Sequence, residues 1–428
     1  MFSEALKRTF KRFPSAREGN VAIIFGLAVL PIFLAGGVAI DYGRAVMTKN
    51  KLQAAADAAA LAAASMQNAD EQQRTEMARS VFATNFTPQR GVSLEPLDIE
   101  FVDEGVRVTP RANVETVLMK LAGIQQMPLK TTVEVNLLQP RKAEIALVLD
   151  YSGSMGQTLN GEQKFITMRD AAKGLVSEIS DAAADGDIKV GLVPFSHHVY
   201  TSLPGEHIIG GTPGTTWTGC TYDRKAPYNV THDTPNRVVE DSKWGNTRSI
   251  NRFDRHGCNG YVRNSLYVQP LTSNTEAIQS QLDEMTPYAW TNIALGMAFG
   301  WHMLSPNSPY TEGTSYSDKE TLKAIVLLTD GAQTAYSWGP NGRQTQRNGE
   351  RNLETMCSNI KALNDDPDEP NFIIITVAFD LDDPDTVNRL RGCASSDEFF
   401  YEADDNAQLS AAFEGITKQL SKAIALTR

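Results

Sequence analysis

The sequence predicts an α/β protein. A doubly wound, mostly parallel sheet follows one membrane-crossing helix, a helical stalk and a small mixed region. Three observations predict it. Short, continuously apolar runs at residues 145–149, 190–195, 325–328 and 372–379 alternate with helical stretches; strands apolar on both faces belong to a parallel sheet covered by helices. Residues 21–40 contain no charged side chain. Nine of the eleven residues 54–64 are alanine, the best helix former.

The elements follow in chain order. Residues 1–19 form a basic tail: Lys7, Arg8, Lys11, Arg12 and Arg17 outweigh Glu4 and Glu18. Residues 20–40 are expected to span a bilayer, which takes roughly 20 apolar helical residues. The basic tail on one side and Asp41 on the other put the N-terminus in the cytoplasm. Small residues at Ala35, Gly36, Gly37 and Ala39 leave a cleaved signal peptide open as a second reading. Residues 41–79 read as an Ala-rich helical stalk. Residues 80–140 form a small α+β region, with a hairpin across 97–110 around Asp103-Glu104-Gly105, a short helix over 114–124 and a strand over 131–138. The sheet domain occupies 141–428. Its helices are expected over 164–180, 291–304, 352–363, 386–391 and 407–425, with a short strand at 399–401. Residues 200–285 break this rhythm with a polar, Trp-bearing stretch too long for a simple loop, and read as an insertion on the sheet's C-terminal rim.

The net charge is -11, and residues 41–428 carry -14 of it against +3 on residues 1–40. A general nucleic-acid binder needs a basic excess, so that class is excluded. Cys220, Cys258, Cys357 and Cys393 contain no C-x-x-C pair, and an even count in an exported region predicts two disulfides. Of three possible pairings, Cys220–Cys258 and Cys357–Cys393 keep each bridge within one region.

The chemistry gathers behind the apolar run 145–149. Asp150, Ser152 and Ser154 alternate along a tight turn, with Gly153 permitting the bend. A carboxylate and two hydroxyls are hard oxygen donors suited to Mg²⁺, Mn²⁺ or Ca²⁺. Two further loops complete the set: Thr291 lies just before a helical stretch, and Asp330 ends the run 325–329. In a parallel sheet the ends of the two strands share one rim, so Asp150 and Asp330 would face one site. Tyr151 and Trp290 stand beside these residues as candidate rim positions for a partner.

This constellation resembles the von Willebrand factor A domain and its metal-ion-dependent adhesion site. The resemblance implies that Asp150, Ser152, Ser154, Thr291 and Asp330 hold a divalent cation, usually Mg²⁺, whose open position takes a carboxylate from a partner. In one departure, Ala289-Trp290 stands where relatives often have glycine before the Thr. The N-terminal pattern, EGNVAIIF at 18–25, AIDY at 39–42 and the Ala-rich helix from Gln53 to Ala62, resembles the TadE/TadG kind of tight-adherence pilus-assembly protein, and the domain order is TadG-like. That resemblance implies a non-enzymatic bacterial inner-membrane protein linked to Flp-type pili. Processing by prepilin peptidase is not implied, since Ile24 stands where glutamate would follow Gly19.

Other features have plain readings. Asp380, Asp382, Asp383 and Asp385 form an acidic loop without the glycine and glutamate of a calcium loop. His197-His198 lacks further ligands at metal spacing. No phosphate-cradling or nucleophile-elbow motif occurs. The leading expectation is cation-dependent binding of an acidic protein partner. A pilus-assembly scaffold, with the ion only stabilising the fold, is the alternative; a metal-dependent hydrolase is weaker, for want of a general base.

Overall fold

The computed structural model describes residues 19–66, 69–102, 105–136, 141–181, 187–247, 257–364 and 371–425. The basic tail (1–18) and the hairpin residues 103–104 lie outside the described residues. The chain divides into two compact units, Met1–Gln139 and Pro140–Arg428.

The first unit is built on one long helix, α1 (Gly19–Ala64), of 46 residues. A second helix, α2 (Glu71–Asn85), begins with a capping box: Asp70 accepts from the Gln73 N–H at 2.8 Å, and the Gln73 side chain accepts from the Asp70 N–H at 3.0 Å. Strands β1 (Val92–Leu94), β2 (Asp98–Val102), β3 (Gly105–Thr109), β4 (Arg111–Glu115), β5 (Gln126–Lys130) and β6 (Val133–Asn136) make two three-stranded antiparallel sheets, in the orders β1-β4-β5 and β2-β3-β6.

The alanine-rich stretch is a packed element rather than a free stalk. Leu52, Ala55, Ala56, Ala59, Ala60, Ala63 and Ala64 are buried at helical spacing. They meet Ala78 and Phe82 of α2 and Val106, Val108, Ala112 and Val133 of the sheets. The helix stops at Ala64, where Arg74 reaches back to the carbonyls of Ala63 at 2.8 Å and Ala69 at 3.0 Å. One further expectation shifts. The region 114–124 is not a helix: β4 runs to Glu115, and a 3-10 turn (Met119–Ala122) follows, closed by Gly123 at φ +86°. Among the described residues no helix is long and apolar enough to cross a membrane; the side chains of residues 19–23, 30, 33 and 34, in or beside the charge-free run, lie outside those described.

The second unit centres on a six-stranded sheet. Its strands are β7 (Lys142–Asp150), β8 (Ile188–Phe195), β12 (Gln269–Thr272), β13 (Thr321–Thr329), β14 (Phe372–Phe379) and β15 (Phe400–Ala403), in the order β12-β8-β7-β13-β14-β15. All neighbours are parallel except β12, which runs antiparallel to β8. The helices are α3 (Lys164–Asp181), α4 (Thr275–Glu284), α5 (Ile293–Leu304), α6 (Gln346–Lys361), α7 (Pro384–Cys393) and α8 (Asn406–Ala425). Alternate β7 residues feed two cores. Ile145, Leu147 and Leu149 join the layer containing α3, α4 and α8, while Ala146 and Val148 join the layer containing α5, α6 and α7.

The insertion is shorter than 200–285. Strand β12 and helix α4 belong to the main sheet and its cover. What is inserted is a three-stranded antiparallel sheet of β9 (Val199–Pro204), β10 (Thr216–Tyr222) and β11 (Gly245–Thr247). Trp217 and Trp244 are buried in the α5 layer, and Trp244 stacks on Phe299 at 5.5 Å. Disulfides join Cys220 to Cys258 and Cys357 to Cys393, with Cα separations of 5.7 and 5.1 Å.

Candidate metal centre

The strand order reverses between β7 and β13, and doubly wound sheets bind ligands at such a switch point, outside the carboxyl ends of the strands. Asp150 closes β7, and Asp330 directly follows β13. Asp150 is fully buried and Asp330 is 6% exposed. The Ser152 N–H donates to Asp150 Oδ1 at 2.7 Å, and the Thr329 hydroxyl to Oδ2 at 2.6 Å. Ser152 and Ser154 share a hydroxyl–hydroxyl bond of 3.0 Å, and Ser154 Oγ donates to Asp330 Oδ1 at 2.6 Å. The two hydroxyls thus make a row that ends on Asp330, with Ser152 tied by its own N–H to Asp150.

Thr291 is brought to the same place. A Cβ added to Gly331 would lie 3.6 Å from Thr291 Oγ1 and 3.8 Å from Ser154 Oγ, which puts both hydroxyls around one point. The Thr291 loop is held from two sides. Its carbonyl accepts from the Thr334 and Ala335 N–H groups at 3.0 and 2.9 Å, and Ala289 O accepts from the Gly153 N–H at 2.9 Å. Ala289 sits at φ +71°, a left-handed conformation that glycine adopts freely and alanine at a cost. Asn292 caps α5, accepting from the Leu295 N–H at 3.2 Å and from Gln333 Nε2 at 2.9 Å.

The electrostatics favour a cation. Burial, and then the nearby charge of Asp330, push the Asp150 carboxyl up to about 7. Burial also raises Asp330, against the pull of the Ser154 hydroxyl and the Lys164 ammonium. An ion at the hydroxyl row would stabilise both ionised carboxylates. The donors, two carboxylates and three hydroxyls, fit Mg²⁺, Mn²⁺ or Ca²⁺. Among the described residues no three His, Cys, Asp or Glu side chains are grouped to hold a metal, so the hydroxyls are indispensable to such a site.

Lys164, the first residue of α3, escaped the sequence reading. Its ammonium lies 3.1 Å from Asp330 Oδ2 and 2.6 Å from Asp380 Oδ2, with its side chain 6% exposed. Asp380 is therefore an ion-pair partner at the site rather than part of a purely solvated loop. A lysine opening a helix carries no sequence signal by itself; its position under the rim is a tertiary fact. The rim also changes. Tyr151 is fully buried, so it presents nothing to a partner, whereas Trp290 is 47% exposed. His197 stands edge-on to Trp290 at 5.2 Å, and Tyr336, two residues past Thr334, is 60% exposed.

Residues 19–66 match the family described as putative Flp pilus-assembly TadE/G-like. That segment comprises α1 and the start of the turn after it. No curated protein matches the chain. Similar solved structures include the pilus adhesin SpaC from Lactobacillus rhamnosus GG, at 14% identity and TM-score 0.37, covering 78% of this chain and 35% of the adhesin. The chain thus spans about a third of that adhesin's length. The vWF domain of the type V pili tip protein Mfa5 from Porphyromonas gingivalis matches at 11% identity and TM-score 0.41, covering 68% of this chain and 98% of that domain. Proximal thread matrix protein 1 of the mussel byssus, solved with a zinc-occupied MIDAS motif, matches at 16% identity and TM-score 0.35, over 66% of this chain and 47% of its own.

Proposed function

We propose that this protein is an envelope component of a Tad/Flp-type pilus-assembly system, and that its second unit binds an acidic group of a protein partner through a divalent cation. The TadE/G-like match at 19–66 supports the pilus setting. The charge-free run 21–40 after a basic tail supports a single inner-membrane anchor with the N-terminus cytoplasmic and the second unit exported. Ile24, Phe25, Leu27 and Ile32 on α1 are each at least 65% exposed, as lipid-facing residues are.

The observation that carries the binding reading is the oxygen cluster itself. Asp150, Ser152, Ser154, Thr291 and Asp330 come from three separate loops and meet at the sheet's switch point. Asp150, Asp330, Ser152 and Ser154 would hold the ion, and Thr291 would complete or relay its coordination. When bound, the cation supplies positive charge inside an acidic body. Because hydroxyls provide most of the ligands, its charge is not fully neutralised, and it attracts a partner's carboxylate. Trp290, with His197 beside it, forms the apolar edge of the contact. Mg²⁺ is the expected ion, with Mn²⁺ or Ca²⁺ as substitutes.

A scaffold reading draws on a specific feature. Lys164 already partners Asp330, so the fold has some internal compensation for its buried carboxylates without a metal. The two readings separate in cells carrying Ser152→Ala/Ser154→Ala. Capture by partner binding predicts that Mg²⁺-dependent recovery of partners and pilus-dependent adherence are lost while the protein remains folded and abundant. Unchanged recovery and adherence in the folded variant would leave the scaffold reading.

A further inference from the structure

We infer that the turn formed by residues 117–124 is a membrane-resting wedge, seated in the bilayer interface beside the point where α1 leaves the membrane. This rests on the anchor reading of residues 21–40. The turn reads Val-Leu-Met-Lys-Leu-Ala-Gly-Ile, with Lys120 as its single charge. Val117 is 61% exposed, Leu121 80% and Ile124 44%. Three large apolar side chains on one short turn are an unusual amount to leave in water.

Its position explains them. Leu118 lies directly on Gly37: a Cβ at Gly37 would come within 2.5 Å of Leu118 Cβ, so the absent side chain is what lets the turn approach the helix. Asp41, one turn further on, is 2% exposed and accepts from three consecutive backbone N–H groups, at 3.0 Å from Val117, 2.8 Å from Leu118 and 2.8 Å from Met119. Those amides form the free N-terminal end of the 3-10 turn, and the carboxylate caps them. Burial alone would raise the Asp41 carboxyl; the amides of Met119, Val117 and Leu118, with Arg44 nearby, hold it below the usual range.

The level of the contact decides the occupant. Gly37 is three residues before the end of the charge-free run, about 4.5 Å along a helix. A turn fixed there is at the depth where amphipathic segments lie, roughly 5–10 Å into the headgroup boundary. Lys120 and Arg44 sit where cationic side chains reach anionic headgroups. A lipid surface, continuous with that around α1, covers the exposed apolar groups without any other partner.

The test uses the full chain reconstituted in phosphatidylethanolamine–phosphatidylglycerol vesicles that carry nitroxide labels on both headgroups and acyl chains. An environment-sensitive fluorophore is attached at Leu121→Cys, at Leu27→Cys within the charge-free run, or at Gln72→Cys. Gln72 is exposed and lies past the far end of α1, some 40 Å along the helix from Gly37. The expected result is blue-shifted emission and quenching at positions 27 and 121, with neither at 72. Quenching at 27 but not at 121 overturns the wedge while leaving the anchor intact; the turn then faces water or another protein. Loss of quenching at 27 removes the anchor reading, and the wedge falls with it.

Discussion

Asp330 divides its two oxygens between opposite kinds of partner. One receives the Ser154 hydroxyl at 2.6 Å, and the other faces the Lys164 ammonium at 3.1 Å. The first points along the hydroxyl row, and the second is turned toward α3 and Asp380. If the cluster holds a cation as proposed, Lys164 would act as a positioning residue that leaves Asp330 Oδ1 for the ion's side of the site. Removing one member of a buried pair leaves an uncompensated charge, at a cost of roughly 3–5 kcal/mol; Asp380 is about a third exposed, which favours the lower end. Lys164→Met should lower the melting temperature in chelator by several degrees. Added Mg²⁺ should recover part of that loss and raise the melting temperature more than in the parent, as a calorimetric scan would read. A variant equally stable with and without Mg²⁺ would separate Lys164 from the cation site. The convergence of the Asp-x-Ser-x-Ser turn, the Thr and the second Asp was legible because two apolar parallel strands end on one rim and the set resembles the von Willebrand A pattern. Lys164 and Asp380 were not, since their meeting depends on how α3 packs under the rim. Tyr151 was misplaced because a residue between two members of the oxygen cluster still alternates inward, and its side chain lies in the core.

At the scale of elements, the alanine-rich helix teaches most. Alanine at 55, 56, 59, 60, 63 and 64 reads equally well as a spacer or as a packing face. The structure makes it the core helix of the first unit, with small side chains admitting α2 and the sheets closely. Adding bulk to such a face should cost about 1–3 kcal/mol. Ala59→Leu, at a fully buried position, is expected to open the first unit to proteolysis at lower temperature. Ala62→Leu, on a half-buried part of the helix, should do so less. Equal resistance of both variants would return the helix to a free stalk. The parallel strands were readable because they are apolar on both faces. Strand β12 was not, since Gln269-Pro270-Leu271-Thr272 is an edge strand with only Leu271 buried. Its polar flank let the insertion seem to continue through α4, whereas antiparallel pairing with β8 returns the chain to the main sheet.

At the scale of the whole molecule, charge gives the division of labour. Residues 1–40 carry +3 and residues 41–428 carry -14; on the proposed topology the basic start would lie on the cytoplasmic side and the acidic body would be exported. An acidic body repels acidic partners unless something local reverses the sign. On the proposed reading, a cation held by the two carboxylates and three hydroxyls at the sheet's switch point would supply that reversal. The TadE/G-like match at 19–66 is what supports the proposed pilus-assembly setting. The most direct measurement is a titration of Mn²⁺ into chelator-stripped, detergent-solubilised full chain, read by loss of the free-ion paramagnetic resonance signal and repeated with Mg²⁺ as competitor. One saturable site is expected, with affinity on the order of 10⁻⁴–10⁻³ M as in extracellular cation modules. That site should vanish in folded Asp150→Ala and in folded Ser152→Ala/Ser154→Ala. No saturable binding by the parent protein, or binding that these folded variants retain, would contradict it.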